Sequence, residues 1–234
     1  MILEIANIKF NMVDVEPGKH IVRATYRDYI RNGIETDVDI KVTSDEIDKA
    51  KTEFDIADDG VGVETAAIRK IYETLPDFDA FVMHAASLSV DGKAYAFSAA
   101  SGTGKSTHMN LWMRKFEGRC RVVNGDRTIF RRDGEGRLLA CGSPWCGKEK
   151  WQSDIMVPLQ GICYIERGSV NKVRRLDAPE ASAKLLNSTL IPGDAGQLVK
   201  LMKLMDWVAN HVPVFVAEVN MEPEAADVVY EAMK

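Results

Sequence analysis

The chain has 234 residues, room for one α/β domain or for one domain with a small appendage. Its 46% hydrophobic and 28% charged content is that of an ordinary globular protein, which sets disorder aside. A net charge of −5 argues against nucleic acid as the main partner, and no apolar run reaches the roughly 18 residues that a membrane helix needs.

The opening MILEIANIKFNMVDVEPGKH has no basic stretch followed by an apolar one, so the expectation is a cytoplasmic protein. Cys120, Cys141, Cys146 and Cys163 form no C-x-x-C pair; reduced thiols are expected, and the spacing matches no common zinc pattern. Residues 1–62 read as an acidic, β-rich appendage ahead of a main domain over 63–234. Within it HIVRATYRDYI and DVDIKV read as strands, and Thr43-Ser44-Asp45-Glu46 has the pattern of a helix start. Glu64 to Leu75 reads as a helix stopped by Pro76.

FVMHAASLSV and KAYAFSAA then flank Asp91-Gly92, a dipeptide suited to a two-residue hairpin turn. That register pairs Val90 with Lys93 and sets His84 across from Ala99. After SAASGTGKST, the residues Met109, Trp112, Met113 and Phe116 share one helical face. CRVVNGD reads as a strand that delivers Asp126, TIFRRDGEGRLLACG as a second hairpin, and GICYIE as a further strand. Leu198, Leu201, Met202, Met205 and Val208 predict an amphipathic helix, followed by the strand VPVFVAEV and a closing helix from Pro223. Antiparallel hairpins mixed with α/β units predict a mixed, largely antiparallel sheet.

Residues 99–106 fit the Walker A pattern with Ala99 in place of the first glycine. Such a loop turns successive backbone N–H groups into one concavity, and the helix that follows adds the positive end of its dipole. Ser101, Gly102, Thr103, Gly104, Lys105, Ser106 and Thr107 are therefore the predicted nucleotide contacts, with Lys105 reaching the β/γ-phosphates and Ser106 ligating Mg²⁺. Asp126, at the end of the next strand, is placed to share that metal, unless it is a surface aspartate of the NGD turn. Arg127 serves either a phosphate or a salt bridge. His84 is either a core histidine or, beside the phosphates, a catalytic one. Lys148 and Lys150, in the loop GSPWCGKEKW, either cover the transferring phosphoryl group or solvate a surface. Between Lys105 and Lys150 eleven Lys/Arg face five Asp/Glu, an excess that suits an anionic ligand.

A strand with histidine, then SGTGKST, then a strand followed by NGDR resembles the HPr kinase/phosphorylase group and its relatives in the phosphoenolpyruvate carboxykinase-like fold, over roughly residues 80–165. The resemblance implies ATP and Mg²⁺ as cofactors, His84 at the active site, homo-oligomers, and Lys105 and Ser106 as loop lysine and metal-ligating hydroxyl. The family carries two consecutive aspartates before an arginine; here those positions read Gly125-Asp126-Arg127. The chain is also too short for a phosphoenolpyruvate carboxykinase. The expected function is an ATP-dependent phosphotransferase acting on a hydroxyl of a protein or peptide serine or of a small molecule. Two alternatives stand beside it: a nucleotide-binding regulatory or accessory module without turnover, and phosphorolysis of a phosphoserine.

Overall fold

In the computed structural model, residues 1–13 and 24–234 are described. Two short strands, β1 (Ile2–Ile5) and β2 (Ile8–Met12), form an antiparallel hairpin. A 3₁₀ helix over Ala24–Tyr29 follows, then β3 (Ile30–Arg31) and β4 (Val38–Ile40). These strands make a four-stranded sheet in the order β3-β1-β2-β4. The strand expected over HIVRATYRDYI is a correction: residues 20–23 lie outside the described ones, and Ala24–Tyr29 is helical. Tyr26 and Tyr29 are buried by that coil, and their aromatic, strand-favouring character is spent on packing instead.

α1 (Ser44–Phe54) starts at Thr43 with a reciprocal capping box to Glu46, as TSDE implies. α2 (Asp59–Thr74) begins five residues before the expected Glu64, because Asp58 caps it by accepting from the Val61 N–H. A 3₁₀ turn over Leu75–Phe78, holding Pro76, ends it.

The large sheet contains β5 (Ala80–His84), β6 (Ala86–Val90), β7 (Lys93–Ser98), β8 (Cys120–Asn124), β9 (Arg127–Arg132), β10 (Leu138–Cys141) and β11 (Met156–Arg167). Their spatial order is β5-β9-β10-β11-β7-β6-β8. β12 (Lys172–Arg175) is antiparallel to β13 (Val214–Val219), which itself runs parallel to β11. α3 (Lys105–Lys115), α4 (Ala178–Ser188), α5 (Ala195–His211) and α6 (Glu224–Met233) complete the chain. The fold is thus mixed α/β with mostly antiparallel sheets, and no helix among the described residues is long and apolar enough to cross a membrane.

Alternation along β7 decides which helices cover which face. Tyr95 and Phe97 point to α3 and α6, where Trp112, Phe116 and Val229 meet them. Ala94 and Ala96 point the other way, toward Leu185, Leu201 and Met205 of α4 and α5. On α5 the buried stripe is Leu201, Leu204, Met205 and Val208, whereas Met202 is 44% exposed. The expected core role of Met202 is corrected: its position falls one residue off the inward stripe.

The hairpin register holds from Val90↔Lys93 to Ala86↔Phe97 and then stops. At Ala85 the chain kinks, its N–H turning back to the Met83 carbonyl at 2.8 Å. β5 therefore leaves β7 and pairs with β9, so His84 faces Arg127 and not Ala99. The expected His84–Ala99 pairing fails because FVMH and ASLSV belong to two strands.

Candidate phosphate-loop site

Residues 99–104 join β7 to α3, turning with φ of +73° at Gly102 and +120° at Gly104. Glycine tolerates both without a Cβ penalty. Thr103 N–H donates to the Ala100 carbonyl at 3.0 Å, closing the bend. From the end of β11, Arg167 donates to the carbonyls of Thr103 (3.2 Å) and Gly102 and holds the loop from outside. The N-terminus of α3 has no side-chain cap, whereas Thr43, Asp58, Asp177 and Asp194 cap α1, α2, α4 and α5. Its first N–H groups, which as in any helix have no intrahelical acceptor, therefore have no side-chain cap acceptor either, and they carry the dipole's positive end.

Three predicted residues meet at one carboxylate oxygen. Lys105 Nζ donates to Asp126 Oδ1 at 2.8 Å, and His84 Nε2 lies 3.1 Å from the same atom. Partial burial works to raise the Asp126 carboxyl, but the hydrogen bonds and charges of His84 and Lys105 outweigh it and hold Asp126 well below the usual carboxylate range. An ionised carboxylate only accepts, so the His84 nitrogen that faces it, Nε2, is the donor, and Nδ1 is the ring nitrogen turned away from Asp126. The backbone under His84 is fixed from below: Ser98 Oγ donates to the His84 carbonyl, and Thr128 Oγ1 to that of Ala85, both at 2.9 Å.

Asp126 is presented by Asn124. The fully buried Asn124 accepts at Oδ1 from the N–H groups of Asp126 (2.9 Å) and Arg127 (2.8 Å), and its Nδ2 donates to the Ser143 carbonyl and hydroxyl. The 142–151 segment therefore packs directly on the NGD turn. Gly125 gives its N–H to the Trp151 carbonyl at 2.8 Å, and a Cβ there would lie 2.8 Å from the Cys146 carbonyl oxygen. Gly147 approaches Asp126 almost as closely: a Cβ on it would fall 3.0 Å from the Asp126 Cβ.

Ser106 Oγ donates to Glu149 Oε1 at 2.9 Å, which brings a third oxygen donor to this corner beside Asp126. Among the described residues no group of three or more His, Cys, Asp or Glu side chains could by itself hold a metal ion. Two carboxylates and a hydroxyl suit a hard cation that draws its remaining ligands from phosphate and water.

Ser101, Gly102 and Thr103 line a cleft of about 1320 Å³ together with His84, Asp126 and Arg127. Thr107 is exposed on the first turn of α3. Lys148 and Lys150 do not line this cleft; they line a separate cavity of about 570 Å³. Sequence reasoning missed Arg167, Asn124 and Glu149. Asn124 was hidden in a turn signal, Glu149 between two lysines, and Arg167 by its distance along the chain. The buried Tyr72, whose hydroxyl faces Arg127, also lines the large cleft.

No protein-family model and no curated protein matches the chain. Among solved structures, the Hpr(Ser) kinase/phosphatase from Coxiella burnetii aligns with 64% of this chain and 95% of its own, at 11% identity and a TM-score of 0.38. A likeness at that level bears on neither activity nor the roles of residues.

Proposed function

We propose that the protein is an ATP-dependent phosphotransferase that moves the γ-phosphoryl group to a hydroxyl. The observation that carries this reading is the convergence of Lys105 and His84 on Asp126 beside a glycine-rich loop that opens an uncapped helix. In it, the amides of Ser101 to Lys105 and of the first turn of α3, with the hydroxyls of Ser106 and Thr107 beside them, cradle the phosphates. Lys105 exchanges Asp126 for the β/γ-phosphates once nucleotide enters. Ser106 and Asp126, with Glu149 close by, hold Mg²⁺, which when bound neutralises charge on the phosphoryl oxygens. His84 takes the proton of the acceptor hydroxyl at Nδ1, because Asp126, held ionised, is a poor base. Arg127 faces the charge that builds on the transferring group.

Mg-ATP at about a hundred times its dissociation constant is expected to stabilise the fold by roughly 2.7 kcal/mol. Lys105→Ala should remove most of that gain. An equal gain in the variant would sink the site assignment. Transfer of labelled γ-phosphate to a hydroxyl, abolished by Asp126→Ala, tests turnover.

A second reading, a nucleotide-binding module without turnover, is favoured by one observation: the backbone around Gly125 leaves no space for a second carboxylate. Binding with no labelled product from any acceptor would select it.

A further inference from the structure

The cavity that takes Lys148 and Lys150 lies beyond Asp126, between α2, the Ala24–Tyr29 helix and the 144–150 segment. Asp126 and Arg127 are the two residues that line both this cavity and the loop's cleft. A group-transfer enzyme holds two substrates in spaces that meet at the transferred group. Here the spaces meet at the carboxylate on which Lys105 and His84 converge.

Cations outnumber acids along this second space: Arg127, Lys148 and Lys150 line it against Glu64 and Asp126, and Asp126 is already paired with Lys105. Among the described residues Arg127, Lys148 and Lys150 form no ion pair, while Glu149 between the lysines turns to Ser106. Glu64, the acid on the α2 wall, accepts from Tyr26 at 2.7 Å, and Trp145 Nε1 donates to the same Tyr26 oxygen at 2.7 Å. The Thr25 hydroxyl is buried at the wall without a partner among the described residues. At about 570 Å³ the space is of the size that encloses a small molecule and not a folded protein surface.

On the reading of the protein as a phosphotransferase, we infer that this cavity binds the acceptor, a small alcohol that also carries an anionic group, carboxylate or phosphate. Lys148 and Lys150 hold the anion, and the hydroxyl points to the Asp126–Arg127 junction. The acceptor oxygen forms a bond to the γ-phosphorus as the bond from that phosphorus to the β–γ bridging oxygen breaks. The electron pair stays with ADP, and the hydroxyl proton passes to His84 Nδ1 and from there to solvent. The N-terminal segment thereby gains a role, since Thr25 and Tyr26 build the acceptor wall.

The test uses the full chain, Mg²⁺ and γ-labelled ATP with glycerate, L-serine, glycerol 3-phosphate, glycerol, and a serine peptide blocked at both ends. Transfer to glycerate or L-serine identifies a carboxylate as the anion, and transfer to glycerol 3-phosphate identifies a phosphate. The joint variant Lys148→Ala with Lys150→Ala should raise the KM for that acceptor by about tenfold or more, while the KM for ATP and the melting temperature stay put. Thr65→Trp, which fills the cavity, should abolish transfer and keep the Mg-ATP stabilisation. Preference for glycerol or the blocked peptide, an unchanged acceptor KM in the lysine variant, or no transfer to any anionic alcohol overturns the inference. Loss of the Mg-ATP stabilisation in the unaltered protein would instead overturn the nucleotide-site reading beneath it.

Discussion

Asn124 is fully buried, and its amide holds the N–H groups of Asp126 and Arg127 on one side and Ser143 on the other. Asn124→Ala strands those partners, which is expected to cost about 1–3 kcal/mol and to let Asp126 leave its position under Lys105. Denaturant unfolding measures the first effect, and labelled transfer the second. A variant with unaltered stability would show that water replaces the amide at no cost. The neighbouring Gly125 stands where the sequence resemblance implies a first aspartate, and the surrounding backbone leaves no room for a side chain there. With the Cys146 carbonyl 2.8 Å from any Cβ, Gly125→Asp should destabilise by about 1–3 kcal/mol and give no gain in transfer; a faster enzyme would refute the steric account. At this scale the residues Lys105, Ser106 and Asp126 were legible because their chemistry is tied to short spacings along the chain. Arg167 and Glu149 were not, because the contacts that matter cross long sequence separations.

α3 couples the loop to the core through a histidine. His108 is 2% exposed, accepts at Nε2 from Trp112 Nε1 at 2.9 Å, and leaves Nδ1 buried without a partner. Burial pushes its pKa down from 6.5 to about 4. As pH falls from 6.5 toward 4, the unfolded chain takes up this proton and the folded chain does not, so stability drops; above 6.5 the group contributes no slope. The loss amounts to about 3 kcal/mol once pH 4 is passed. His108→Gln, which offers Trp112 a neutral acceptor, should flatten the stability–pH curve in that window relative to the parent. Equal slopes in the two proteins would count against a neutral buried ring. Elements with strong apolar periods or caps were readable: TSDE announced α1, and Asp91-Gly92 fixed the β6–β7 register. α4 carries an equally good capping box in Asp177 and Glu180, yet it buries only Ala181 and Leu185, too weak a stripe to stand out. The break at Ala85 lay inside one continuous apolar run, where composition does not distinguish one long strand from two.

Across the molecule, the small sheet does not close a core of its own. Leu3, Ile5, Phe10 and Ile40 pack in one cluster with Ile71 and Tyr72 of α2, with Val82, Ile129 and Leu139 of the large sheet, and with Trp145. Trp145 stands at the joint, edge-on to Tyr26 (6.4 Å) and Tyr72 (5.1 Å) and hydrogen-bonded to Tyr26. A core shared in this way predicts one cooperative transition, since neither side keeps its buried surface when the other melts. Far-ultraviolet circular dichroism and tryptophan fluorescence should then give coincident midpoints in guanidinium chloride. Trp145→Ala removes the keystone ring at a cost of about 3–5 kcal/mol, and it should move both midpoints together. Two separated transitions, with residues 1–62 released first and the proposed Mg-ATP stabilisation intact, would mean that the N-terminal segment is held independently of the part that carries the 99–104 loop. The acceptor wall built by Thr25 and Tyr26 would then have to form on a segment able to detach.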